Sequence, residues 1–129
     1  YLNNKTVTVS KVKKLKDAVV SINCNQSATN RKKTKIENLI KKLAPPITRR
    51  VKIFESANLE LAYVSCGRID IYFNPDDKLW DIVAGSQLIK NSGGNYKVMQ
   101  GNIMKPFLGV KGVIASNKFL HRELLEAIK

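Results

Sequence analysis

The sequence predicts an α/β protein, a layered sheet with flanking helices. Three observations predict it: a β-branched run at Ala18–Ile22, a period-two alternation at Arg50–Phe54, and apolar residues at helical spacing after each. Runs of the first two kinds form strands. Spacing of the third kind gives a helix one apolar face to bury against them, so strand–helix alternation reads as helices layered on a sheet.

Taken in order, Val7 to Val9 alternates and ends at Ser10, which is placed to cap a helical turn over Lys11 to Asp17. Ala18-Val19-Val20-Ser21-Ile22 suits a buried strand, and Cys24 to Thr29 is polar and loop-like. Ile36, Leu39, Ile40 and Leu43 then recur at i, i+3, i+4 and i+7, one face of a helix that Pro45-Pro46 stops. Arg50 to Phe54 is the next strand. Ser56 is placed to cap the following helix, in which Leu59, Ala62, Tyr63 and Cys66 form the apolar face and Gly67 supplies a left-handed stop. Ile69 to Phe73 predicts a strand, and Asn74-Pro75-Asp76-Asp77 has turn chemistry. A helix begins near Trp80-Asp81 and ends at Gly93-Gly94. Tyr96–Met99 and Gly112–Ser116 read as the last strands, with a loop over Gln100–Lys111 between them. Asn117 caps a final helix carrying Leu120, Leu124 and Ile128. With no repeat, low-complexity tract or linker, residues 1–129 read as one α/β domain.

A chain of 129 residues buries one core, and 43% hydrophobic with 26% charged residues is ordinary globular composition. No run of 18 or more apolar residues appears, so a membrane span is excluded. The start, Tyr1-Leu2-Asn3-Asn4-Lys5, has no initiator Met and no apolar leader, so the chain reads as beginning mid-sequence. Cys24 and Cys66 suit free thiols in a reducing cytoplasm. Two cysteines and one histidine do not make a standard zinc site.

The net charge is +13, and no carboxylate occurs from Ile82 to Arg122. Basic clusters at Lys11–Lys16, Arg31–Lys35 and Arg49–Lys52 suit an anionic partner, a nucleic acid or a phosphorylated small molecule. Charge alone favours the plainer reading, a solvated lysine-rich surface, because it carries no information about a site. The clusters lack interleaved aromatics, which weighs against RNA or DNA.

Asp81 is the first candidate site residue. A carboxylate at a helix start, held by a packed Trp80 indole beyond the strand ends, is a natural hard-oxygen ligand for Mg²⁺. Local pattern alone favours the plainer role of capping aspartate. Ser56-Ala57 opens the preceding helix, where amides and a hydroxyl hold an anionic or hydroxylated ligand, although a simple serine cap again fits. Asp76 and Asp77 read as turn residues, Asp70 as a strand flank and His121 as a satisfied or surface histidine. No phosphate-binding glycine loop, Cys-His pair or nucleophile elbow is present.

The run Arg50-Val51-Lys52-Ile53-Phe54-Glu55-Ser56-Ala57-Asn58-Leu59-Glu60-Leu61-Ala62-Tyr63-Val64-Ser65-Cys66-Gly67-Arg68-Ile69-Asp70 extends these readings. With Trp80-Asp81-Ile82-Val83-Ala84-Gly85 and Gly93-Gly94, it closely resembles the C-terminal half of the inositol monophosphatase family. Tyr1–Lys5 with Val9-Ser10, and Val113–Asn117, extend the likeness over nearly the whole chain, weakest from Cys24 to Thr48. The resemblance implies the C-terminal half of an αβαβα sandwich that hydrolyses a phosphate monoester with bound Mg²⁺. It implies Asp81 as a metal ligand, Ser56 and Ala57 as substrate contacts, and Asn74 at a position where inositol-specific members keep a glutamate that bonds a substrate hydroxyl. The amide at Asn74 keeps a hydrogen bond and removes a charge, so sugar bisphosphates and nucleotide phosphates become as plausible as inositol phosphate. Glu55 replaces a family glycine, Val83 a small residue and Gln87 an apolar one. The family's N-terminal half carries a glutamate and an Asp-Pro-Ile/Leu-Asp-Gly-Thr motif that supply most metal ligands, and neither is found here.

The chain is therefore expected to be the substrate-side half of a cytoplasmic Mg²⁺-dependent phosphatase, inactive alone, as a fragment, a split subunit or a degenerate homologue. Its expected partners are the missing N-terminal half, a phosphorylated small-molecule substrate and optionally a second copy in a homodimer. The alternative is a catalytically dead basic domain that binds RNA or another acidic partner.

Overall fold

The computed structural model describes residues 2–23, 30–100 and 109–128. Cys24, the loop expected over residues 24–29 and most of the loop expected between the last two strands lie outside the described residues. Among the described residues, five strands form one sheet: β1 (Val19–Ile22), β2 (Arg50–Lys52), β3 (Ile71–Lys78), β4 (Gly94–Gln100) and β5 (Lys111–Asn117). The order across it is β2-β1-β3-β5-β4. β1 runs parallel to both its neighbours, while β3–β5 and β5–β4 are antiparallel. Helices α1 (Asn30–Leu43), α2 (Ala57–Ser65), α3 (Leu79–Asn91) and α4 (Leu120–Ala127) complete the described elements.

The helices cover the two faces in pairs, as strand alternation requires. On one face Val20, Ile22, Ile71, Phe73 and Ile114 pack with Ile36, Leu39 and Leu43 of α1 and Leu120 and Leu124 of α4. On the other, Tyr72, Val113 and Ala115 pack with Leu61 and Val64 of α2 and Ile82 and Ile89 of α3. Each such aliphatic side chain contributes about 1.5–3 kcal/mol on burial. α2 and α3 meet at Gly85, where an added Cβ would lie 2.4 Å from Leu61 Cδ1. No described helix is long and apolar enough to cross a membrane.

Four local expectations are corrected. Ser10 caps nothing: the first helical turn is only Leu15–Asp17, its N-cap is Lys14, and the Ser10 hydroxyl instead accepts from Asn117 Nδ2 at 2.9 Å. The apolar face expected for α2 points outward. Leu61 and Val64 turn to the sheet with Glu60 and Ser65, while Leu59 is exposed and Ala62, Tyr63 and Cys66 are half-buried. Trp80 is 68% exposed rather than packed, with the Lys78 ammonium 5.0 Å from its ring. Asn74-Pro75-Asp76-Asp77 is not a turn, because β3 runs through it to Lys78 with a register shift against β5 between Asn74 and Lys78. Gly112 makes that irregularity fit. Its φ is +65°, and a Cβ there would meet the Pro75 carbonyl oxygen at 2.7 Å.

Other expectations stand. Gly67 ends α2 at φ +72°. Asn117 Oδ1 accepts the Phe119 and Leu120 N–H groups at the start of α4, both at 2.9 Å. Asp70, beside β3, accepts the Val19 N–H at 2.6 Å and so fixes the start of β1.

Candidate active site

β1 and β3 lie side by side and parallel, with Ser21 opposite Tyr72, and both side chains belong to the face covered by α2 and α3. This places a row of polar groups where the two strands end and the two helices begin. Glu60 of α2 is wholly buried. Its Oε1 accepts the Ser21 hydroxyl, and its Oε2 accepts the Ser56 N–H at 3.1 Å. Beyond it, the Tyr72 hydroxyl donates to Asp77 Oδ2 at 2.6 Å, and Asn74 Nδ2 donates to Asp77 Oδ1.

Burial sets the protonation in this row. It pushes the Glu60 carboxyl above its ordinary value, although hydrogen bonds from Ser21 and from the Ser56 and Phe54 backbones oppose the shift. Asp77 is pushed up to about 7, again by burial first, with the charges of Asp81 and Glu60 adding to the effect. The Tyr72 hydroxyl is driven upward by burial and by the Asp77 charge.

Asp81 sits at the third position of α3, half-buried. Its Oδ2 reaches back to accept the Lys78 N–H at 3.0 Å. Oδ1 makes no hydrogen bond among the described residues, which leaves it a hard-oxygen donor. The charge of Asp81 is among the causes that raise the Asp77 carboxyl, after burial. No group of three or more His, Cys, Asp or Glu side chains among the described residues is arranged to hold a metal. The donor set thus fits Mg²⁺ as one contributor to a shared shell and does not fit it as a complete cage.

Ser56 occupies the N-cap of α2 with extended backbone, φ −139° and ψ 92°, yet its hydroxyl makes no capping bond. Ser56 is exposed and Ala57 half-buried. Glu55 just before them has φ +60°, the left-handed region that favours glycine. Asn74 is only 5% exposed, and its Oδ1 accepts the Asp76 N–H at 3.0 Å while Nδ2 serves Asp77. Val83 and Gln87 lie on the outer side of α3, Gln87 bonded to Asn91 at 3.0 Å. His121 is satisfied, as expected, with Nδ1 2.8 Å from Ser116 Oγ. Burial and then Lys97 lower its basicity.

Sequence reasoning missed Glu60 and Asp77. Glu60 stands four residues after Ser56, one beyond the spacing of a capping box, and reads as solvated beside Leu59. Asp77 was hidden in the apparent turn. Period two alone would put residue 77 with Ile71 and Phe73; the register shift between Asn74 and Lys78 brings it to Tyr72 and Asn74 instead, and the sequence carried no signal of that shift.

A mixed α/β sheet with polar and acidic side chains gathered where strands end and helices begin defines an α/β protein of the layered type. The chain belongs to the inositol monophosphatase family, whose profile matches residues 1–129. It is 30% identical over 129 residues to an inositol-1-monophosphatase of Bacillus subtilis, covering 98% of this chain and 46% of that protein. It is 36% identical over 81 residues to a fructose-1,6-bisphosphatase/inositol-1-monophosphatase of Thermotoga maritima, covering 63% of this chain and 31% of that one. The solved structure of an inositol monophosphatase from Anabaena superposes with a TM-score of 0.80 at 28% identity, over 98% of this chain and 48% of that chain. The chain thus spans about half the length of the relatives it matches.

Proposed function

We propose that this chain is the C-terminal, substrate-side half of a Mg²⁺-dependent phosphomonoesterase. Its substrates are phosphorylated small molecules of the inositol phosphate, fructose bisphosphate or nucleotide phosphate type. One observation carries the reading: among the described residues Asp81 keeps a carboxylate oxygen outside the hydrogen-bond network, whereas Glu60 and Asp77 use both of theirs within the protein. In this reading Asp81 ligates Mg²⁺, and Ser56, Ala57 and Asn74 face the substrate, with Asn74 held by Asp76 and Asp77. Bound Mg²⁺ supplies polarisation of the phosphoryl group and a nucleophilic water of lowered pKa. The chain's own task is to orient the ester, with Ser56 as hydroxyl donor and the start of α2 toward its negative charge.

A second feature supports completion by another half. α2 and α3 are apolar on both sides: besides their sheet-facing residues they expose Leu59, Trp80, Val83 and Leu88. Large apolar side chains left exposed together on one face suit a surface that another layer covers. Across both helices the only basic residue is Lys90, although the chain carries +13. The test is phosphate release from inositol, fructose and nucleotide phosphates, with and without Mg²⁺, by this chain alone and by the chain joined to the half its relatives carry. Release only from the joined protein with Mg²⁺ supports the reading. Release by neither overturns it.

The reading as a basic interaction domain has its own observation. A groove of about 620 Å³ between β4 and α4 is lined by Lys97, Lys118 and Arg122 over Ile114 and Leu125. That reading requires RNA binding that weakens steeply with salt. Flat or absent binding removes it.

A further inference from the structure

We infer that Glu60 is the positioning residue of the substrate-side turn, holding residues 54–56 so that the Ser56 hydroxyl faces a ligand instead of its own helix. This rests on the reading of Ser56 as a substrate contact.

A serine at an N-cap ordinarily uses its oxygen on the amides of the first helical turn. Here the hydroxyl does not. The helix start is held from the other side: Glu60, one turn along α2, takes the Ser56 N–H at 3.1 Å. That amide directly follows Glu55, whose left-handed φ of +60° is disfavoured for a residue with a Cβ. A conformation of this kind persists only where its surroundings over-determine it. Those surroundings are the Glu60 carboxylate on one side and the Phe54 ring, edge-on to Tyr63 at 6.1 Å, on the other.

The far end of Glu60 is anchored as well. Its Oε1 takes the Ser21 hydroxyl of β1, so the turn is tied through one side chain to the parallel strand beside Tyr72. For packing alone, an apolar side chain of similar volume would serve position 60 at lower desolvation cost. What a carboxylate adds is two acceptors in fixed places, one for the sheet and one for the turn. The Ser56 hydroxyl is thereby released from capping.

The test is a double-mutant cycle in the full-length enzyme, with hydrogen exchange of the segment 54–57 read in parallel. Losing one substrate hydrogen bond corresponds to about a tenfold rise in KM. Ser56→Ala and Glu60→Ala are each expected to show that rise with kcat within about twofold, and the double variant no more than the larger single. Glu60→Gln keeps an acceptor at Oε1 for the Ser56 N–H and can donate from Nε2 to the Ser21 hydroxyl oxygen in place of accepting from it, so it keeps KM near the unmodified value. Ser21→Ala, which loosens Glu60 without emptying its site, raises KM and speeds exchange at 54–57, and so serves where Glu60→Ala fails to fold. Additive effects of Ser56→Ala and Glu60→Ala overturn the inference, as does unchanged exchange at 54–57 in both Glu60→Ala and Ser21→Ala. An unmodified enzyme that releases no phosphate refutes the phosphatase reading instead, and the exchange result then decides the role of Glu60.

Discussion

The Tyr72 hydroxyl donates to Asp77 at 2.6 Å beneath α3, and the carboxylate's second oxygen is taken by Asn74, so Asp77 is satisfied without touching solvent. Burial raises its pKa from 3.8 to about 7. A raised acid binds its proton more tightly folded than unfolded, so its contribution is full below about pH 4 and is lost as pH rises to about 7. The slope from this group is at most about 1.4 kcal/mol per pH unit. Asp77→Asn should flatten the fall in urea midpoint between pH 4 and 7. An unchanged profile in the variant would contradict the assignment.

Asp81 has two duties that substitution separates. Asn at 81 keeps an acceptor for the Lys78 N–H, so Asp81→Asn should change unfolding stability by less than about 0.5 kcal/mol. Asp81→Ala loses the acceptor and should cost about 1 kcal/mol. Thermal unfolding of the two variants side by side checks the difference.

Gly85 sets how closely α2 and α3 approach. Gly85→Ala would drive a methyl group into Leu61, 2.4 Å from its Cδ1 and 2.6 Å from its Cβ. The expected loss is about 1–3 kcal/mol in denaturant unfolding, despite the better helix propensity of alanine. The double variant Gly85→Ala with Leu61→Ala should lose less than the sum of the two.

The outer face of α2 and α3 offers a test of assembly. Val83 is 48% exposed in this chain. If the half its relatives carry covers this face, Val83→Lys buries an unpaired charge and should destabilise the joined protein by about 3 kcal/mol or more. A stability change below about 0.5 kcal/mol would show that this face stays in water.

Strand and helix order was legible in the sequence because each element carries its own period and its own stop, Gly67 after α2 and Pro45-Pro46 after α1. The inward face of α2 was not. With apolar residues on both sides, periodicity alone does not distinguish the side that meets the sheet, and it selected the Leu59 side. Asn74–Asp77 misled for another reason. Turn-forming residues were overridden by pairing with β5, which Gly112 permits by approaching Pro75. Asp81 and Ser56 were singled out from position and resemblance. Glu60 and Asp77 escaped because their role depends on Ser21 and Tyr72, which are distant in sequence or hidden by the misread turn.

The most direct measurement is phosphate release by this chain joined to the half its relatives carry, as Mg²⁺ is titrated, with Asp81→Asn beside the unmodified protein. Loss of an outer-shell partner already costs about 10–100-fold, so loss of a ligand should cost at least about a hundredfold and shift the Mg²⁺ requirement upward. That result, with folding intact, is the one expected if Asp81 holds the metal. Equal activity and an equal Mg²⁺ requirement in Asp81→Asn would contradict it and leave Asp81 as no more than the residue that caps α3.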